Sequence, residues 1–183
     1  NLLVAPHGLR RGVLARIDDE IAAHRAGRPA GITLKANALV DEQVIDGLYR
    51  ASQAGVPVQI LVRGICGLRP GVPGLSENIR VRSILGRYLE HSRIYAFENS
   101  GSREVFIGSA DLMHRNLDRR IEVLVQLSER EHLARIDRFF EFAFSDEVSS
   151  WRMLPDGSWQ RRIVNEKGEP LADLQDLVMI DRT

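Results

Sequence analysis

Residues 30–63 read AGITLKANALVDEQVIDGLYRASQAGVPVQILVR, and the order of elements within them decides the fold. Ala30 to Lys35 is a short β-rich run. Pro57 to Arg63 is an apolar run suited to a strand buried on both faces. Between them Val44, Ile45, Leu48 and Ala51 recur at helical spacing, with Asp41 placed to cap that helix and Gly55 to stop it. Upstream, Leu9, Val13, Leu14, Ile17 and Ile21 mark a helix from Leu9 to Ala26, ended by Gly27. Downstream, Ile79 to Ile84 alternates apolar and basic residues. Arg93 to Glu98 and Glu104 to Ile107 are spaced for a hairpin around Asn99-Ser100-Gly101-Ser102. Ile121 to Leu127 reads as a strand, and Glu129 to about Phe144 as a helix. The alternation predicts an α/β fold, a mixed β-sheet flanked by helices. After Trp151 the pattern thins to a hairpin about Pro155-Asp156-Gly157, a charged loop and a terminal helix. The whole of 1–183 is read as one domain, with 155–183 its less strongly patterned tail.

Composition bounds the function. The 183 residues carry 25 acidic and 25 basic side chains, so no whole-chain field draws the protein to nucleic acid or to an anionic membrane. The single cysteine, Cys66, forms no internal disulfide and fits a reducing compartment. Apolar runs fall short of the roughly 20 residues that span a bilayer, and no signal-peptide pattern opens the chain. A soluble cytoplasmic domain is the expectation. A chain that begins at Asn1 also reads as a piece of something longer.

The chemistry gathers in the middle third. Arg63 to Asn78 (RGICGLRPGVPGLSEN) places four glycines and two arginines directly after a buried strand. Loops at strand carboxyl ends are where α/β folds bind ligands, and glycine-rich backbone can approach an anion closely. The plainer reading is a surface loop with solvated arginines. His91-Ser92-Arg93 precedes a strand, and Gly108-Ser109-Ala110-Asp111 follows the next one. A histidine and a cation two residues apart on extended chain project to the same side, where both can meet one phosphoryl group. For His91 alone, a backbone-satisfied structural role is the competing reading.

This arrangement resembles the H-x-K … G-S-x-N half-site of the phospholipase D superfamily, with Arg93 in the lysine position and Asp111 in the asparagine position. The longer stretches LVRGICGLRPGVPGLSENIRVRSILGRYLEHSRIYAF and FIGSADLMHRNLDRRIEVL, with NLLVAP and the segment from Ile32 to Gly64, are similar to the C-terminal phospholipase-D-like domain of the polyphosphate kinase family. The resemblance runs from Asn1 to about Pro155.

That resemblance implies a phospholipase-D-like fold. It also implies reversible transfer of the terminal phosphate of ATP to inorganic polyphosphate, through a phosphohistidine on an upstream domain absent from this chain. It assigns Arg63 to the ATP phosphates and His91 to the ATP site and to catalysis. Arg93 and Ser109 join them as phosphate-binding candidates, Arg63, His91 and Ser109 being expected to converge on one cleft. Lys35, Asn37 and Asp111 are placed nearby. Mg²⁺ is expected with ATP, no metal ligand set is assigned within the chain, and a homo-oligomer is expected. The chain alone is expected to be inactive. Two other classes stay open: a phosphodiesterase of the same superfamily, and a non-catalytic polyanion-binding module. His7, His24, His132 and His114 are read as surface residues. Arg115, Arg119 and Arg120 either line a polyphosphate path or pair with Asp118 and Glu122. Phe139, Phe140, Phe142 and Phe144 are read as core.

Overall fold

Strand and helix alternate along the chain as β1 (Leu2–Ala5), α1 (Leu9–Arg25), β2 (Ile32–Ala36), α2 (Glu42–Gln53), β3 (Val58–Val62) and β4 (Ile79–Ser83). They continue with β5 (Arg93–Phe97), β6 (Glu104–Gly108), β7 (Glu122–Gln126), α3 (Arg130–Phe144), β8 (Ser150–Met153), β9 (Trp159–Arg162) and α4 (Leu174–Ile180). This computed structural model describes residues 1–180. The strands form one nine-stranded sheet in the order β1-β7-β6-β5-β2-β3-β4-β8-β9.

The sheet is mixed, and its mixture positions the site. β2, β3 and β4 run parallel, joined on the first side by α2. β5 returns to pair antiparallel with β2, and β6, β7 and β1 continue antiparallel from it. The carboxyl ends of β2, β3 and β6 therefore meet the amino end of β5 at one end of the sheet. The Asp41 side chain caps α2 by accepting from the Val44 amide at 3.1 Å, which satisfies one of the donors a helix start leaves bare.

Register divides the faces. Ile32 and Leu34 pair with Val58 and Ile60, and this row packs with Val13, Ile17 and Leu48 of α1 and α2. Leu48 is fully buried there, so truncating it to alanine costs about 2–5 kcal/mol. Lys35, Leu61 and Ile94 occupy the opposite face. There α3 and α4 close the second core through Phe140, Ala143 and Leu174, with Phe139, Phe142 and Phe144 partly buried around them.

The strands and helices read from the sequence are present within one or two residues. The hairpin turn at Asn99–Gly101 tightens into a single 3₁₀ turn. Two elements were not read from local pattern. β1 is a four-residue edge strand whose ladder partner is β7, and Arg115–Arg119 winds a π-helical turn. Both depend on partners far away in sequence. Gly108 has its own constraint, since a Cβ there would lie 1.9 Å from the Val123 carbonyl oxygen. Only glycine lets β6 and β7 come this close.

Candidate functional site

Lys35 lies near the end of β2 and is 3% exposed. Its Nζ donates to the Ser92 carbonyl at 3.2 Å and lies 3.3 Å from a Glu90 carboxylate oxygen. The Phe139 ring stands 5.9 Å below the ammonium. Burial pushes the Lys35 pKa down; Glu90 opposes that shift, while Arg63 and Arg93 add to it. Three cations thus crowd one end of the sheet, and their mutual repulsion is what a bound anion would relieve.

Arg63 follows the last residue of β3 and lines a small hollow with Lys35, Leu61, Ile84 and Glu90. Its guanidinium nitrogen Nη1 is buried and has no hydrogen-bond partner among the described residues. Leaving such a donor unmet costs about 1–3 kcal/mol or more when it is charged. The buried Asn37 Oδ1 at the end of β2 is unpartnered in the same way.

His91 and Arg93 form a second group at the same end of the sheet. Arg93 grips Asp111 through Nε at 3.3 Å and Nη2 at 3.0 Å. Asp111 also accepts from the Asn37 amide at 2.7 Å. Burial pushes the Asp111 pKa up, but Arg93 and Asn37 outweigh it and hold the carboxyl below the usual range. Arg93 Nη1 bonds the His91 carbonyl at 2.8 Å and lies 3.1 Å from His91 Nδ1. The same Nη1 lies 3.5 Å from His91 Nε2, and because an arginine N–H can only donate, the ring nitrogen it bonds must present a lone pair. The His91 side chain is otherwise exposed.

The expected convergence is thus partial. Arg63, His91 and Arg93 share one end of the sheet, linked through Lys35. Arg63, one residue past β3, lines its hollow with Lys35 and Leu61 on the α3 face, whereas Arg93 alternates along β5 with Tyr95 and Phe97, which pack on the α1 face. The Ser109 hydroxyl turns to β7 and accepts from the Val123 amide at 3.3 Å.

The glycine-rich loop is not a free cradle. Its Gly64, Gly67 and Gly71 amides donate to the carbonyls of Asn37, Leu39 and Ser76. Because β4 is parallel to β3, the loop must also run back along the whole sheet, and Asn78 ends beside Val58. Only its first residues, beginning with Arg63, belong to the site. Glu90 and Gln175 are the polar groups that sequence reading missed. A buried lysine inside the strand ITLKA was the available signal for a nearby carboxylate.

Asp41, Glu42 and His114 bring one ligand atom each within 4.8 Å of one another, away from this group. The cluster is already neutralised: Arg10 bonds Asp41 at 2.8 Å and Asp118 at 2.5 Å. His114, exposed as expected, bridges Glu42 at 2.6 Å and Asp118 at 2.9 Å. Asp118 is therefore committed to Arg10 and His114, while Arg120 lies 3.8 Å from Glu122.

Residues 2–172 match the family model described as polyphosphate kinase C-terminal domain 2. A polyphosphate kinase of Streptomyces coelicolor is 58% identical over 178 residues, covering 97% of this chain and 24% of that protein. The chain thus spans about a quarter of the length of the curated relatives it matches. The crystal structure of polyphosphate kinase from Porphyromonas gingivalis superposes with a TM-score of 0.91 at 37% identity, covering 99% of this chain and 28% of that one. The phospholipase D family member Nuc from Salmonella typhimurium superposes with a TM-score of 0.56 at 17% identity, covering 88% of this chain and 96% of that one, a likeness of fold alone. No helix among the described residues is long and apolar enough to cross a membrane. A phospholipase-D-like sheet, a match along nearly its whole length and a cationic sheet end together make this chain a member of the polyphosphate kinase family, of which it is the second C-terminal domain.

Proposed function

We propose that this end of the sheet binds the phosphates of ATP in an enzyme that transfers the terminal phosphoryl group between ATP and inorganic polyphosphate. The observation that carries it is the Arg63 guanidinium, whose buried Nη1 lacks a partner among the described residues and stands beside two further cations. Phosphoryl transfer asks a protein mainly for positioning and for charge around the equatorial oxygens. Arg63 and Lys35 supply that charge. Arg93 is largely spent on Asp111, and its role is to orient His91.

His91 donates a hydrogen bond from its ring N–H to an oxygen of the transferring phosphoryl group and keeps its proton, while the bond from the terminal phosphorus to the departing ADP oxygen breaks. The phosphorus is taken by a histidine nitrogen of an upstream domain, and ADP departs. In the second half-reaction a terminal polyphosphate oxygen attacks that phosphorus, the N–P bond breaks, and the chain grows by one unit. Splitting the transfer in this way replaces one difficult displacement by two easier ones. Without the upstream histidine, this domain alone is inactive. Ser109 accepts from the Val123 amide of β7, which leaves its hydroxyl proton free to donate to a phosphate oxygen.

The carboxylates at this end, Glu90 and Asp111, are both engaged by cations, so these residues do not fit a resident magnesium site. Magnesium arrives instead with the nucleotide, held by phosphate oxygens, as is usual for this hard cation. A cytoplasmic homo-oligomer belongs to the same reading. The test is steady-state kinetics of the full-length enzyme at several ATP concentrations. His91→Ala is expected to lower turnover by about 10²–10³-fold, the usual worth of one donor aimed at developing charge, with melting unchanged. Near-normal turnover in that variant defeats the reading.

A further inference from the structure

The segment leading to His91 exposes its apolar side chains: Leu85 is 62% and Leu89 74% exposed. Hydrophobic burial therefore does not fix its path. A polar network does. Gln175, in the first turn of α4 and 7% exposed, uses its amide oxygen and amide nitrogen together on this segment. Its Oε1 accepts from the Tyr88 amide at 2.8 Å. Its Nε2 donates to the Tyr88 carbonyl and to a Glu90 carboxylate oxygen, each at 2.8 Å. The amide orientation is determined, because a flip would turn Oε1 against a carbonyl and a carboxylate.

The network continues on the far side of His91. The second Glu90 oxygen faces Lys35 Nζ at 3.3 Å, and the same Nζ donates to the Ser92 carbonyl. Residues 90 and 92 are thus both tied down while His91 between them stays exposed. Gly86 completes the fit. A Cβ at that position would lie 2.5 Å from Gln175 Oε1 and 2.7 Å from its Cδ, so the loop carries no side chain where Gln175 must pass.

We propose that Gln175 and Lys35, acting through Glu90, are positioning residues that present His91 to the transferring phosphoryl group, so that α4 is a working part of the site. Gln175 lies beyond the 2–172 span that defines the family match. The proposal rests on the reading of His91 given above. Displacing a catalytic group by about 1 Å can cost 10²-fold in rate, so loosening this clamp acts on turnover more than on binding, because Arg63 is untouched.

The experiment uses the full-length enzyme with Gln175→Leu, which keeps the bulk and removes the amide, and Gly86→Ala, which pushes the amide aside while keeping it. Hydrogen exchange of the Tyr88 amide, kcat and KM for ATP, and the melting temperature are read for each. The expected result is faster exchange at Tyr88, kcat lowered by about 10–10²-fold, KM nearly constant and melting little changed, in both variants. Raised exchange with normal kcat overturns the positioning role. Unchanged exchange overturns the clamp itself, and kcat that falls only in step with melting does the same for its catalytic use. His91→Ala is run in parallel. If it keeps normal turnover, the underlying reading of His91 fails, while the exchange data still report whether Gln175 holds the loop.

Discussion

Arg93 meets both carboxylate oxygens of Asp111 and with its remaining nitrogen reaches His91. These two residues are also where the sequence departs from the lysine and asparagine of the phospholipase D half-site. The departures touch, so they are one coupled change. A lysine could not fork across a carboxylate and still reach the imidazole, whereas the planar guanidinium does both. Asp111→Asn alone should destabilise the fold by about 3 kcal/mol, since it strands a largely buried guanidinium. Adding Arg93→Lys should recover part of that loss. Urea unfolding of the two single variants and the double variant gives the coupling directly, and strict additivity would show that the pair is not a unit.

Arg63 should behave differently from His91 in the assembled enzyme. If Arg63 meets ATP phosphates as proposed, Arg63→Ala removes charge used already in the ground state, so KM for ATP should rise along with any loss in kcat. Lysine at position 63 should restore only part, because it keeps the charge and loses the fork. Initial rates across a range of ATP concentrations separate the two effects.

The His114 bridge predicts a pH dependence of stability. Hydrogen bonds to Asp118 and Glu42, helped by the charges of Glu42 and Asp41, raise its pKa above the ordinary 6.5. A group with a raised folded-state pKa contributes stability that is fully present below its unfolded value and is lost as pH rises through the folded one. Arg10, fixed on Asp41 and Asp118, does not titrate in that window. Melting temperature should therefore fall as pH is raised through and above neutrality, and His114→Gln should flatten that part of the curve. An unchanged slope in the variant would assign the dependence to other groups.

Gly108→Ala should be among the most damaging single-methyl additions in the chain. The clash is with the Val123 backbone rather than with a movable side chain, and overpacking of this kind costs about 3 kcal/mol or more. Gly74→Ala is the control. Gly74 has a φ of 74° but nothing near a new Cβ, so only the left-handed backbone penalty of about 1–2 kcal/mol applies. Chemical denaturation of the two variants side by side tests the ranking.

The sequence showed most of this fold because its strands and helices are locally consistent: the Asp41 cap, the Gly27 and Gly55 stops, and the apolar PVQILVR run each point one way. Less was visible where partners are distant. β1 pairs with β7 far along the chain, and nothing in LLVA announces an edge strand. At the site, His91, Arg93 and Arg63 were readable as residue types at strand ends. Ser109 was placed by motif, yet its hydroxyl serves β7, because strand pairing decides which way a side chain turns. Glu90 and Gln175 were invisible, since a carboxylate and an amide 85 residues apart carry no local signature of their meeting.

The return of β5 to pair with β2 governs the order in which the molecule can acquire its site. Lys35 meets Ser92 across 57 residues of chain, and Asn37 meets Asp111 across 74. The parallel β2–α2–β3 unit closes a far shorter loop and can form early, whereas contacts of long sequence separation are entropically late. Refolding should therefore restore the helices and the first parallel strands well before the cationic sheet end can hold an anion. Phosphate binding would then mark the last step of folding rather than its progress.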